Sequence, residues 1–242
     1  MASGQQNQFQ QYKYRNWDLE MKTFPKISLV ILGPQGSGKG TQAQFLTKKF
    51  NYKLIAVGDI IRLIAQKTTP LAKKIKKYSQ KGELLPEELI EKLLSRELKN
   101  ITQPGIIFDG FPRTQDQVDA LERFSRKFNF KKPVAIYLRI SDKTAVKRIS
   151  SRRICSQCQD IFYPRAKGFQ QGICPKCQAK LIQRLDDRPK IVKNRLRIYH
   201  QQTEKIINFY RQNNRLIEIN GEPTIPQVLQ EILERINDYF KK

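Results

Sequence analysis

Gly33-Pro34-Gln35-Gly36-Ser37-Gly38-Lys39-Gly40-Thr41 is a stretch suited to holding an anion. Its glycines let the backbone curl so that several N–H groups point inward, and a helix starting there would add the positive end of its dipole. Lys39 supplies a mobile full charge, which is the chemistry of a phosphate-binding loop. The general pattern has Ser or Thr directly after the lysine; here Gly40 holds that place and Thr41 follows. A glycine-rich turn or helix cap is the plainer alternative, and the elements on either side weigh against it.

Other candidates lie further along. Asp109 opens the string Asp109-Gly110-Phe111-Pro112-Arg113-Thr114-Gln115-Asp116-Gln117. A carboxylate there suits orienting water on a magnesium ion near the first loop; a lone acid would serve equally as a helix cap. Arg62 offers a bidentate grip on a second phosphate, or a surface ion pair. Arg148 and Arg152 stand four apart on one helix face, with Arg153 beside them, and read as phosphate contacts or as a solvated basic face. Cys155-x-x-Cys158, fifteen residues, then Cys174-x-x-Cys177 has the spacing of a four-thiolate zinc site, with two disulfides or four free thiols as alternatives. Four ligands leave no open position, so such a metal is structural. Phe162, Tyr163 and Phe169 give that module aromatic packing. His200, the only histidine, is not needed as a ligand and is expected on a helix surface.

The elements that must position these residues follow from pattern. Ile27-Ser28-Leu29-Val30-Ile31-Leu32 reads as a buried parallel strand, and residues 42–50 after the loop have helical spacing. Residues 52–56, 105–108, 133–138 and 215–219 read as further strands, the last ended by Asn220-Gly221. Asp59 is placed to cap a helix. Residues 70–81 form a basic helix, and Pro86 with Glu87 and Glu88 opens another that runs to about residue 99. A helix is expected over roughly 187–212, carrying Arg195, and a last one from Thr224 or Pro226. Strands and helices alternate, so the natural architecture is a parallel sheet wound by helices, with ligands at the strands' C-terminal ends.

Composition sets the bounds. The 242 residues are 39% hydrophobic, enough for one core with an insertion or two. Forty-six Lys and Arg against 22 Asp and Glu give a net charge of +24. That charge reads either as a phosphate-rich partner or as lysine-rich composition on solvated faces, and the dispersed Lys73, Lys74, Lys76 and Lys77 favour the second. No apolar stretch is long enough to span a membrane and no secretory signal opens the chain, so a cytoplasmic protein is expected, with its cysteines reduced. Residues 1–26 are Gln-rich, with Trp17 the single tryptophan. They read as a flexible tail, or as a short nucleic-acid arm using Tyr12, Lys13, Tyr14 and Arg15.

Over about residues 27–240 the chain resembles the adenylate kinases of the long, zinc-lid type. The carriers are the Gly-Lys-Gly-Thr ending of the first loop, Gly58-Asp59 with Arg62, the 109–117 string, Arg148 with Arg152, the four cysteines, and Arg184 with Asp186, Asp187 and Arg195. The resemblance implies an α/β, P-loop NTPase-like parallel sheet wound by helices. The core would comprise 27–56, 87–152 and 188–242, with a helical NMP-binding insertion at 57–86, a zinc-knuckle lid at 153–187 and the extension at 1–26. It implies reversible, magnesium-dependent phosphoryl transfer from ATP to AMP, giving two ADP.

It also implies roles. Gly36, Ser37, Gly38, Lys39, Gly40 and Thr41 would hold ATP phosphates, with Arg148 and Gly221 at the donor adenine. Val57, Leu84, Leu85, Gly110 and Gln117 would surround AMP, whose phosphate Arg62 and Arg113 would grip. Arg152, Arg184 and Arg195 would neutralise the transferring group, the latter two also reaching AMP. Cys155, Cys158, Cys174 and Cys177 would hold Zn2+, and Asp109 would hold Mg2+ through water. One departure is Ala56-Val57-Gly58-Asp59, where the family usually has Ser/Thr-Thr-Gly-Asp. Adenine stays the expected acceptor base, with a CMP or UMP kinase as the alternative. A nucleic-acid-binding P-loop or zinc-ribbon protein is the reading from another class, and the string around Arg113 argues against it. ATP, AMP and a monomer without membrane contact complete the expectation.

Overall fold

The computed structural model describes residues 27–81, 83–99, 101–163 and 172–241. The tail at 1–26, with Tyr12, Lys13, Tyr14, Arg15 and Trp17, lies outside the described residues, as does Phe169 of the cysteine module.

Chain order is β1 (Ile27–Leu32), α1 (Lys39–Phe50), β2 (Lys53–Ala56), α2 (Val57–Ala65), α3 (Pro70–Lys81) and α4 (Glu87–Glu97). Then come β3 (Gly105–Asp109), α5 (Gln115–Lys127), β4 (Val134–Arg139) and α6 (Asp142–Ser151). The cysteine module contributes β5 (Arg153–Cys155), β6 (Ile161–Phe162) and β7 (Leu181–Ile182). A 3-10 turn at Leu185–Asp187 leads into α7 (Pro189–Ile198), a π-helical turn at Tyr199–Thr203, α8 (Glu204–Gln212), β8 (Leu216–Asn220) and α9 (Ile225–Lys241).

Five strands form one parallel sheet in the order β2-β3-β1-β4-β8. Every residue of β1 is buried, as a central parallel strand covered on both faces must be. Successive side chains leave opposite faces of the strand. Ile27, Leu29 and Ile31 enter one apolar layer, where α1 and α9 pack. Val30 and Leu32 enter the other, under α4, α5 and α8. Gly105 is required at the start of β3, because a Cβ there would stand 2.6 Å from the Tyr52 ring. Thr114 and Ser141 cap α5 and α6 by accepting from the backbone N–H of Gln117 and Thr144.

Two expectations are corrected. Helix α2 starts at Val57, so Asp59 lies in its first turn rather than at its cap. The single helix expected over 187–212 is divided by the π-helical turn, whose extra residue per turn lets Tyr199 and Thr203 both be buried. The smaller antiparallel sheet, in the order β6-β5-β7, was not foreseen, since strands of two or three residues leave no readable alternation.

Candidate functional site

Sheet register decides what meets. Ile31 of β1 and Ala56 of β2 both pair with Asp109 of β3. The C-terminal ends of three strands therefore lie side by side, and the segments leaving them, at 33–38, 57–62 and 110–113, open onto one cleft. Its volume is about 1500 Å³, and residues of the cysteine module form its other wall.

The loop after β1 needs its glycines. Gly33 has φ of +143, and a Cβ on it would lie 2.5 Å from the carbonyl oxygen of Leu138. Gly36 has φ of +82, with the Ala145 carbonyl 3.0 Å from where its Cβ would be. Lys39 begins α1, and its Nζ donates to the carbonyl oxygens of Gly33 and Pro34, both at 2.7 Å. Burial lowers its pKa to about 7, although the nearby Asp109 carboxylate works the other way. Asp109 is half-buried at the end of β3, and desolvation there raises its pKa against the pull of Lys39.

Arginines converge from four directions. Arg62 comes from α2, pairs with Asp59 and stands 4.0 Å from Asp186. Arg113 follows the cis Phe111–Pro112 peptide, and its Nε donates to the Gly110 carbonyl at 2.8 Å. Burial, and then the charge of Arg195, bring its pKa down to about 10. Arg195 of α7 donates to Asp186 at 2.8 Å. Arg152, where α6 ends, holds the fully buried Asp187 carboxylate with two hydrogen bonds of 2.9 and 2.5 Å. Burial opposes its charge, yet the hydrogen bond and charge of Asp187 hold its pKa above the usual arginine value. Arg184 differs. Its buried Nε has no partner among the described residues, and burial, with Arg62 next in effect, lowers its pKa to about 10. An orphaned buried guanidinium N–H is costly unless an anion completes it.

Sequence reasoning gave Asp186 and Asp187 no role. They are the counter-charges that hold Arg195 and Arg152 in place. The available signal was a pair of acids two residues after Arg184, in a stretch otherwise rich in basic residues.

Not every candidate reaches the cleft. Gly36, Gly38, Lys39, Gly40, Thr41, Leu84, Asp109 and Gly110 line it, as do the arginines at 62, 113, 152, 184 and 195. Val57 and Leu85 are buried in the apolar layer instead. Ser37 is buried, with its Oγ unpartnered among the described residues. The Gln117 side chain turns to its own chain, accepting from the Arg113 N–H at 2.8 Å. Arg148 lies outside the cleft lining. It donates to the carbonyls of Gly36 (3.3 Å), Gly221 (2.9 Å) and Glu222 (2.9 Å), fastening the first loop to the turn after β8. His200 is exposed as expected, its ring bridging Asp142 and Glu204.

The four cysteines are free thiols whose sulfurs all lie within 4.8 Å of one another. Cys155 and Cys177 are 3.3 Å apart, Cys158 and Cys174 3.7 Å. A tetrahedral site with metal–sulfur bonds of ~2.3 Å has edges of ~3.8 Å, so the cluster fits a metal of that size. Burial opposes the thiolate, but N–H groups of Cys158 and Gln157 bring Cys155 down to about 6.

Residues 31–215 match the sequence profile of a family described as adenylate kinase. An adenylate kinase of Fervidobacterium nodosum is 35% identical over 218 residues, covering 89% of this chain and all of that protein. One of Phytoplasma australiense is 39% identical over 208 residues, covering 85% and 96%. One of Pyrococcus abyssi is 38% identical over 207 residues, covering 85% and 94%.

Proposed function

We infer the division of labour in this cleft from one premise: the chain belongs to the adenylate kinase family. Its activity is phosphoryl transfer from ATP to AMP, giving two ADP. The acceptor is already an anionic phosphate oxygen, so the reaction asks for no strong general base. It asks for two phosphate chains brought into line and for their charge to be neutralised.

In our reading the 33–41 loop and Lys39 take the β- and γ-phosphates of ATP, and Arg62 and Arg113 take the phosphate of AMP. Arg152, Arg184 and Arg195 lie between the two sets and bear on the transferring group. An arginine in that position contributes about 10³-fold or more in rate. Arriving phosphates would replace Asp186 as partner of Arg195 and Arg62, and would complete the orphaned Nε of Arg184. Leu84 and Gly110 border the AMP side, Gln117 positions Arg113 by accepting from its N–H, and Arg148 fastens the phosphate loop to the turn at Gly221 on the donor's side. Asp109, half-buried and facing Gly40, would hold magnesium through water. Bound there, the ion would neutralise donor phosphate charge. The four cysteines would hold zinc as a structural ion. Segments 57–86 and 153–187 act as two covers that exclude water, which would otherwise take the phosphoryl group. The protein works as a monomer in the cytoplasm, and among the described residues no helix is long and apolar enough to cross a membrane.

The observation that carries this reading is that Lys39, Arg62, Arg113, Arg152, Arg184 and Arg195 all line one cleft, Arg62 from one cover and Arg184 from the other, with Asp109 beside Lys39. The test is to titrate ATP and AMP separately. Lys39→Met is expected to weaken ATP binding and spare AMP; Arg62→Ala is expected to weaken AMP by ~10-fold or more and spare ATP. Equal losses for both ligands in either variant would contradict the assignment.

A further inference from the structure

Helices α3 and α7 are the two most basic of the chain and carry no acid. On α3 stand Lys73, Lys74, Lys76, Lys77 and Lys81, all exposed. On α7, Lys190, Lys193 and Arg197 are exposed, while Arg195 turns into the cleft. Composition alone does not produce this. Helices α4, α5 and α9 each carry three or more acids among their basic residues. None of the exposed cations named here is ion-paired among the described residues.

The two helices meet. Asn194 Nδ2 donates to the carbonyl of Lys81 at 2.6 Å, across 113 positions of sequence. On α7, residues 190, 193, 194 and 197 form one stripe, at the spacing that shares a helix face. Asn194 sits in the middle of that stripe, so its bond brings the stripe against the C-terminal end of α3. Residues 73, 77 and 81 share one exposed face of α3. What reads from sequence as scattered solvated lysine is thus one basic surface built from two separate segments.

We propose that this joined face of α3 and α7 binds the phosphate backbone of duplex nucleic acid, as a surface distinct from the nucleotide cleft. Charge complementarity points to a polyanion. Its scarcity of exposed apolar side chains points away from a membrane: Ala72, Ile75, Val192 and Leu196 are all buried, and Leu71, at the end of α3 opposite Lys81, is a single exposed leucine, too little to anchor in a bilayer. It offers no exposed aromatic ring, since Tyr78 is half-buried, so it has no platform on which single-stranded bases would stack. Binding by backbone charge alone is independent of sequence and steeply salt-dependent.

The test is fluorescence anisotropy of the full-length protein with short duplex RNA and duplex DNA of random sequence. Affinity for duplex should fall about 10²-fold between about 50 and 200 mM salt. The variant K77Q/K81Q/K190Q/K193Q should bind ~10-fold or more weakly at low salt and show a flatter salt slope. It should keep full turnover of ATP and AMP. The control K143Q/K147Q, which removes exposed lysines from α6, should bind as the parent does. Equal losses in the two variants would overturn the proposal in favour of bulk charge. Undiminished binding by the first variant would overturn it in favour of another surface, and capture by phosphatidylserine vesicles without duplex binding would overturn it in favour of lipid.

Discussion

Lys39 is a lysine held where lysine is poorly solvated, and its two hydrogen bonds go to the carbonyls of its own loop. Its pKa of about 7 gives the sign of its pH dependence. Below about pH 7 the folded and unfolded chains both carry the proton, and the folded chain bears the full desolvation cost. Between there and the ordinary lysine value the folded chain has lost the proton and the unfolded chain keeps it. This penalty on folding therefore fades as pH rises. A bound triphosphate restores the charge. ATP binding at about pH 8 is thus expected to take up nearly one proton, read by calorimetry in buffers of different ionisation enthalpy. Lys39→Met should abolish that uptake; uptake unchanged by the substitution would mean that Lys39 is not the group. At this scale the sharp turn that places Lys39 at the cleft was legible, because glycine and lysine at fixed spacing have few other uses, while the burial of Ser37 away from the cleft was not. Asp186 and Asp187 were not, because an acid's role as counter-charge depends on arginines brought near it by the fold. The separation of Arg148 from the cleft was equally hidden: four residues along one helix put it near Arg152 but not on the same wall.

At the scale of elements, strand β1 and the helices with apolar periodicity and clear starts could be read directly. The π-helical turn at Tyr199–Thr203 could not. Tyr199 is buried beside β4, its hydroxyl 3.3 Å from that of Tyr137, and this tertiary contact interrupts a helix that local sequence would continue. The cysteine module is the element least able to stand by itself. Among the described residues its apolar cluster contains Leu181, Phe162, Ala179 and the cysteines, little for a core without a cross-link. With zinc held by the four cysteines, as proposed, chelation is expected to abolish hydrogen-exchange protection in residues 153–163 and 172–182 while leaving β1, β3 and β4 protected. Unchanged exchange in the module would show that packing alone sustains it.

For the molecule as a whole, a parallel sheet follows from strands that alternate with helices, and its strand order could not be read without the structure. That order matters, because β3 lies between β2 and β1. It thereby sets Asp109 and Arg113 beside the phosphate loop on one side and α2 with Arg62 on the other. This arrangement moves a phosphoryl group between ATP and AMP. The most direct measurement is turnover by the purified, metal-loaded protein with ATP and magnesium, AMP, CMP, UMP and GMP being offered separately. The expected result is rapid formation of two ADP from ATP and AMP, with the other three monophosphates far slower despite Val57. A preference for CMP or UMP, or no turnover with any of them, would contradict it.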